Sequence, residues 1–386
     1  MKGKHWIVHE EPIAGFSMIN IIRVLIQNRF KIHPKYWLRF LYAFSISMFT
    51  LPLRIIEKIL FTGKIKRTKI INDPLFIIGH YRTGTTYLIT LISNDKSKGY
   101  VSHVEAYAPH TFLAFPNFTK WIIDLSVPDQ RPMDNVIIGS EKPTEEEYSI
   151  AATDKYSFYN GLIFPRNFDQ YSKYNSFEEC SFKDLQRWEK KYYYFVQKMT
   201  LKYSGKILIL KNPANTYRIR IILKMFPNAK FIHIYRNPYD VFPSTLKFLR
   251  ELLEIYALQK WDDNKMQEDI FRNFKEMYTI FHRDRHLIPE KNIVDIRYEN
   301  FIRNPMATIE RIYRELNLEN FEKYKDSFQK YVNSQATYKA NIHIITDDII
   351  RRVNMHWGFY IEKYGYKKLE PKTENKKSIT SESVEY

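Results

Sequence analysis

The sequence predicts an α/β fold of three layers, with helices on both sides of a central parallel β-sheet. Apolar runs at residues 74–79, 206–210 and 230–235 are typical of buried strands, and a segment with helical spacing follows each of them. This alternation indicates right-handed crossovers between parallel strands. Because open α/β sheets bind ligands at the C-terminal ends of their strands, the residues that follow these runs are the first candidates for a functional site.

The elements follow one another in a regular order along the 386 residues. Residues 1–70 look helical and accessory, and residues 71–369 are expected to form the main domain. Within it, the long aromatic segment 107–200 is expected to be a helical insertion that caps the site, whereas the polar residues 370–386 are predicted to be disordered. The other predicted elements are strands 74–79, 99–103, 206–210, 230–235 and 291–297 and helices 85–94, 215–226, 239–257, 264–287 and 301–316.

A glycine-bracketed loop follows the first strand and is the most informative stretch of the chain. Gly79 and Gly84 enclose four residues, and Thr85 and Thr86 open the next helix, so that backbone N–H groups point at an anion. A loop that hydrolyses nucleotides carries Lys where Thr85 stands. Here the cation is Arg82, inside the loop, and a guanidinium holds a phosphate or a sulfate with two hydrogen bonds. The loop therefore predicts an anion site that does not handle a triphosphate through a metal.

Cations also follow the two other strands. Lys211 comes directly after residues 206–210 and Arg236 directly after 230–235, with Ser244 eight residues further on. A magnesium-dependent phosphate-loop hydrolase needs an acidic residue at such a strand end, and neither strand supplies one. The pattern favours an anionic substrate that is held by side-chain charge, with no metal site.

Several of these segments resemble motifs of the sulfotransferases that use 3'-phosphoadenosine-5'-phosphosulfate (PAPS). Residues 79–88 are similar to the 5'-phosphosulfate loop, 210–213 to a Leu-Lys-x-Pro segment, and 297–305 to an R-Y-E-x-[FL]…[DN]-P element. Residues 131–134 and 143–148 resemble an R-P-x-D…P-x-E-x-E stretch of the bacterial branch of this P-loop superfamily. The resemblance extends over about residues 70 to 335, with Asn at 212 and 237 where Ser and Asp are frequent.

The resemblance implies an enzyme that moves the sulfuryl group of PAPS to an acceptor hydroxyl and releases the bisphosphate PAP, without a metal. It implies that Arg236 and Ser244 bind the 3'-phosphate and that Tyr298 lies near the adenine. His80 is expected to contact the nucleotide or to pack. The residues implied for the 5'-phosphosulfate are Gly79, His80, Tyr81, Arg82, Thr83, Gly84, Thr85 and Thr86.

The catalytic residues are expected on loops at the strand ends. Arg82 is predicted to hold the leaving phosphate, and Lys211 to neutralise charge on the sulfuryl or bridging oxygens. Glu105, in an E-x-x-x-P context that related enzymes often carry, is the predicted general base, with His103 as its rival and His110 as a third option. Two further acids, at positions 145 and 147, are expected to line the acceptor pocket or to pair with Arg131.

Composition restricts the partners. The net charge of +17 suggests a polyanion, but no nucleic-acid motif accompanies it, so we expect no nucleic-acid partner. The uncharged stretch 40–53 is too short to cross a membrane. It is expected either to pack on the core or, with the many basic residues around it, to lie on a membrane surface. One cysteine and no secretory signal pattern favour a cytoplasmic protein, with peripheral attachment to the inner face of the membrane as the further expectation.

The acceptor is the least determined part of the prediction. A content of 16% aromatic residues and the interfacial stretch favour a lipid or sterol-like alcohol, and a carbohydrate chain is the alternative. A small phenol or a protein tyrosine ranks below these. A P-loop kinase or nucleotide hydrolase, and a basic polyanion-binding protein without catalytic activity, are the other function classes.

Overall fold

The computed structural model describes residues 11–127, 139–335 and 343–372. In these residues a parallel sheet of five strands lies at the centre of the chain. This sheet confirms the predicted α/β class. In the order β2-β3-β1-β4-β5, the strands are β1 Leu75–Ile78, β2 Lys98–Tyr100, β3 Ile207–Lys211, β4 Lys230–Tyr235 and β5 Ile293–Arg297.

Helices cover both faces of the sheet and make the three layers. Alternate residues of β1 point to opposite faces: Phe76 belongs to one apolar core, and Leu75 and Ile77 belong to the other. The sheet is therefore buried on both sides, which explains why its strands are continuous apolar runs. From α1 to α9 the helices are Met18–Gln27, Trp37–Phe49, Leu51–Arg67, Thr85–Ile92, His103–Tyr107, Pro116–Ser126, Glu147–Thr153, Asn160–Ile163 and Phe168–Ser172. From α10 to α17 they are Phe182–Lys202, Ile219–Met225, Pro238–Tyr256, Asp263–Asp284, Tyr298–Arg303, Pro305–Glu315, Phe321–Ser334 and Asp347–Lys363.

The register of the sheet brings the candidate cations to one edge. Ile77, one residue before the end of β1, pairs with Lys211 on β3 and with Ile232 on β4. The C-terminal ends of β3, β1 and β4 therefore lie side by side. The loop after β1, the last residue of β3 and the first residue after β4 meet at this edge, as the sequence predicts.

Some predicted elements differ at their ends for local reasons. The predicted helix 301–316 is two helices, α14 and α15, because Pro305 has no backbone N–H with which to continue the first. The predicted helix 215–226 begins as a 3₁₀ turn, Pro213–Tyr217, before α11. Residues 131–134 of the proposed sulfotransferase motif, and most of the predicted disordered tail, lie outside the described residues.

The N-terminal helices are anchored by buried ion pairs. Glu11 binds Arg39 at 2.6 Å, and Glu57 of α3 pairs with Lys198 of α10. Glu57 also accepts hydrogen bonds from the N–H groups of residues 113 and 114. The stretch 40–53 is divided between α2 and α3, so the structure does not form one long apolar helix there. None of the helices in the described ranges has the length and apolar character needed to cross a bilayer.

Candidate active site

The loop between β1 and α4 has a backbone that requires glycine at both ends. Gly79 has φ +137°, and a Cβ there would lie 2.3 Å from the carbonyl oxygen of Ile234. Gly84 has φ +99°, and its Cβ would lie 2.5 Å from the ring of Tyr298. The N–H of Gly79 donates to Oγ1 of Thr216 at 2.8 Å. The loop is therefore held tightly against β4 and α14, and Tyr298 packs directly on it.

The cations that the sequence singles out converge beside this loop. Nε of Arg82 donates to Oγ of Ser244 at 3.0 Å, and an Nη1 of Arg236 donates to the carbonyl oxygen of Arg82 at 3.1 Å. The guanidinium of Arg236 also lies 4.3 Å from the ring centre of Tyr298. Four residues from three separate segments of the chain, Arg82, Arg236, Ser244 and Tyr298, thus form one group.

Arg236 carries a buried nitrogen that lacks a hydrogen-bond acceptor among the described residues. Its Nε is buried and makes no hydrogen bond within the part of the chain that the structure describes. A buried guanidinium N–H without an acceptor is costly, and an anionic ligand would satisfy it. The residues of this group therefore fit an anion next to the loop.

A histidine that no sequence motif marked lies near the same cations. Burial lowers the pKa of His343, and the positive charges of Arg236, Lys247 and Arg82 lower it further. These charges act together because the fold brings α12, the loop and the segment that precedes α17 to one place. Lys247 and His343 were missed because neither belongs to a recognisable pattern.

A second group of residues lines a cavity of about 550 Å³ beside the loop. Lys211 is 3% exposed, and its ammonium lies 2.7 Å from Oε1 of Glu145. The hydroxyl of Tyr159 donates to the same carboxylate, and burial together with this negative charge raises the pKa of Tyr159. Thr86, from the start of α4, and His103 also line the cavity. A cation, a carboxylate and the end of the anion loop therefore face one space.

Glu105 has a different setting from the one expected of a general base. It is fully buried and caps α5: one carboxylate oxygen accepts the N–H of Ser102 at 2.7 Å and its hydroxyl at 2.6 Å. The other oxygen forms an ion pair with Lys202. Glu105 is not one of the described residues that line the cavity. The structure thus places Glu145, and not Glu105, beside Lys211.

The neighbouring acid Glu147 belongs to the interior. It forms a buried ion pair with Arg218 at 2.8 Å and accepts a hydrogen bond from Nδ2 of Asn212 at 2.6 Å. Asn212 stands where the resembling family often has Ser. Its amide therefore links the end of β3 to the segment that carries Glu145.

The side chain of His80 packs in the interior of the protein. It is 3% exposed and its ring lies 4.9 Å from that of Phe274. Burial lowers the pKa of His80 to about 4, so the ring is neutral near pH 7. Its carbonyl oxygen accepts a hydrogen bond from Thr83 at 2.7 Å, which closes the loop. Of the two roles expected of His80, packing has direct support in these contacts.

The fold and the site together define an α/β protein that groups cations beside a glycine-bracketed loop at its strand ends. Comparison with known proteins identifies the family. Residues 74–323 match the sequence model of the Sulfotransferase family. The chain is 34% identical over 362 residues to the omega-hydroxy-beta-dihydromenaquinone-9 sulfotransferase Stf3 of Mycobacterium bovis and of Mycobacterium tuberculosis, a match that covers 93% of this chain and 92% of the relative. The chain belongs to the sulfotransferase family.

Solved structures show the same fold. Sulfotransferase STF9 from Mycobacterium avium superposes with a TM-score of 0.68 at 17% identity and covers 88% of each chain. Sulfotransferase STF1 from Mycobacterium tuberculosis gives a TM-score of 0.57 at 15% identity, over 82% of this chain and 85% of that one. In the described ranges, no three His, Cys, Asp or Glu side chains are grouped as the ligands of a metal would be.

Proposed function

We propose that this sulfotransferase transfers the sulfuryl group of PAPS to the hydroxyl group of a lipid or sterol-like alcohol. One observation carries the proposal. A cavity of about 550 Å³ is mostly apolar, yet it is lined by the Lys211–Glu145 pair and by Thr86 of the anion loop. Such a cavity holds an apolar acceptor and presents its hydroxyl group to charged residues.

The nucleotide is proposed to bind on the loop side of this cavity. The backbone N–H groups at the start of α4 and the guanidinium of Arg82 would hold the 5'-phosphosulfate. Arg236 and Ser244 would hold the 3'-phosphate, and the unsatisfied Nε of Arg236 supports this role. The ring of Tyr298, already stacked with Arg236, offers a surface for the adenine. PAPS supplies an activated sulfuryl group whose leaving group is the nucleotide 5'-phosphate.

The side chains of the cavity then have separate tasks. The Glu145 carboxylate takes the proton of the acceptor hydroxyl, because each of its oxygens keeps lone pairs beyond those used by Lys211 and Tyr159. The Lys211 ammonium stabilises negative charge that develops on the transferred group. We propose Glu145 as the base in preference to Glu105, whose oxygens are used in the helix cap and the ion pair with Lys202. His103 and His110 are the alternatives, since both line the same cavity.

The acceptor is proposed to be a lipid because of the walls of the cavity. The relative Stf3 is by its name a sulfotransferase of a menaquinone derivative, which is an apolar alcohol. A carbohydrate needs polar partners along its whole length, and most of this lining cannot supply them. A lipid acceptor also implies that the enzyme acts at a membrane surface. We propose that this surface is the cytoplasmic face of the membrane. Six apolar residues of the lining are Ile46, Phe49, Trp121, Leu125, Phe248 and Leu252.

Sulfur-labelled PAPS and a panel of acceptors test this function. We expect label on long-chain prenyl or sterol-like alcohols and none on oligosaccharides. Lys211→Met should abolish transfer. Lys206→Met, which removes the same charge just before β3, should leave it intact. Transfer to oligosaccharides alone would overturn the lipid assignment. Magnesium-dependent turnover of ATP without sulfuryl transfer would overturn the whole proposal.

A further inference from the structure

The acceptor cavity opens among apolar side chains that solvent can reach. Phe49, at the end of α2, is 75% exposed, and Trp121 and Leu125 of α6 are also exposed. All three line the cavity. Their apolar surface is therefore continuous with the interior of the cavity, and we call these three residues the portal.

Helix α3, whose Arg54 lines the same cavity, carries further exposed apolar side chains. Ile55 and Ile59 stand one helical turn apart, so they lie on one face of α3, and both are exposed, Ile59 at 74%. Neither lines the cavity within the described residues. Groups of large exposed apolar side chains mark sites of association with proteins or membranes.

The exposed charges along α1 to α3 have one sign. Between residues 12 and 71, a range that the structure describes in full, the exposed charged side chains are all Lys or Arg. The acid in that range, Glu57, is buried with Lys198. On α6 the exposed Asp124 is paired with Lys120 at 3.0 Å. An apolar face with a basic surround complements a bilayer that carries anionic headgroups.

We propose that α3 and α6 dock on an anionic lipid bilayer with the portal facing the acyl chains. The lipid alcohol then enters the cavity sideways from the membrane and never crosses water. The docking itself is independent of the chemistry, whereas the sideways entry rests on the proposed function. Apolar burial supplies the contact, and the basic residues of α3, among them Lys58 and Lys66, supply attraction to the headgroups.

Vesicle binding and two kinds of acceptor test the proposal. Wild-type protein should cosediment with phosphatidylglycerol vesicles, and less with phosphatidylcholine vesicles or in high salt. Ile55→Ser/Ile59→Ser should weaken binding at least tenfold. Phe182→Ser, which changes a 69% exposed side chain at the start of α10, should bind as the wild type does.

Activity separates the docking from the chemistry. With a short, water-soluble alcohol, Ile55→Ser/Ile59→Ser should match the wild type, but with an alcohol embedded in vesicles its rate should fall at least tenfold. Equal vesicle binding by the double variant, or a wild-type dimer that the double variant abolishes, would overturn the membrane proposal. Intact vesicle binding without transfer to any alcohol would instead refute the proposed function and leave the docking in place.

Discussion

The ammonium of Lys211 and the carboxylate of Glu145 form an ion pair of 2.7 Å on the wall of the acceptor cavity. Both side chains are largely withdrawn from water, at 3% and 12% exposed. Removing one partner of such a pair leaves the other charge uncompensated and costs about 3–5 kcal/mol. Substitutions here therefore need a check of folding before any change in rate is assigned to the reaction.

Glu145→Gln should remove the proposed general base while it keeps the shape of the cavity. Because a general base contributes about 100- to 10,000-fold to rate, we expect kcat to fall within that range. Affinity for PAP should remain near that of the wild type, since the nucleotide residues are untouched. Calorimetric titration with PAP and circular dichroism establish that the variant is folded and loaded before the rate is compared.

Glu105→Gln is the matched variant. It should lower the free energy of unfolding, because it removes the ion pair with Lys202, and leave turnover per folded enzyme close to wild type. Loss of turnover in this variant together with an active Glu145→Gln would return the role of base to Glu105. If both variants keep their activity, His103→Asn and His110→Asn test the remaining candidates, which both line the cavity.

Arg236→Ala should weaken PAP binding by about 10- to 150-fold, the equivalent of about 1.5–3 kcal/mol for a charge-assisted hydrogen bond. Arg236→Lys should give an intermediate loss, because a point charge cannot reproduce the planar fork. Arg250→Ala removes the same charge from a surface pair between Arg250 of α12 and Asp263 of α13, and it should bind PAP normally. A PAP affinity equal to wild type in Arg236→Ala would contradict the 3'-phosphate assignment.

The sequence alone was sufficient to predict the sheet and the glycine-bracketed loop. It was not sufficient to decide which glutamate lies beside Lys211. Strands buried on both faces are continuous apolar runs, and the clash of a Cβ at Gly84 explains why glycine brackets the loop, so both were readable from local pattern. Glu145 and Lys211, in contrast, are 66 residues apart. Glu105 and Glu145 look alike in the sequence, and only tertiary packing puts one in a helix cap and the other in the cavity. His343 joins the cationic group in the same way, without a motif.

Gly84→Ala should lower the free energy of unfolding by more than the cost of the left-handed backbone conformation at this position. A left-handed conformation costs an L-residue about 1–2 kcal/mol, and here the new Cβ also meets the Tyr298 ring at 2.5 Å. Gly205→Ala is the control, because Gly205 has φ +82° and open space around it. We expect Gly205→Ala to lose only the conformational part of the unfolding free energy and to bind PAP normally. Equal losses of stability and PAP affinity in both variants would show that the Tyr298 contact is unimportant.

Glu146 should make the protein less stable as pH rises. It is fully buried, and Oε1 accepts hydrogen bonds from Tyr192 at 2.9 Å and Asn215 at 2.6 Å. Oε2 has no partner among the described residues. Burial raises the pKa of Glu146 from its ordinary value of 4.5 to about 7, so the folded protein prefers the neutral acid. Stability from this group is thus full below the unfolded pKa and is lost as pH rises through about 7.

Glu146→Gln removes this titration and keeps the size and hydrogen-bonding capacity of the side chain. At about 1.4 kcal/mol per pKa unit, the wild type should lose about 3 kcal/mol relative to the variant between about pH 4 and pH 9. Urea unfolding of both proteins across that range measures the difference. Burial also raises the pKa of Glu11 to about 7, but that group is present in both proteins and cancels. A difference that stays constant with pH, or that grows in favour of the wild type, would mean that Glu146 is ionised in the folded state.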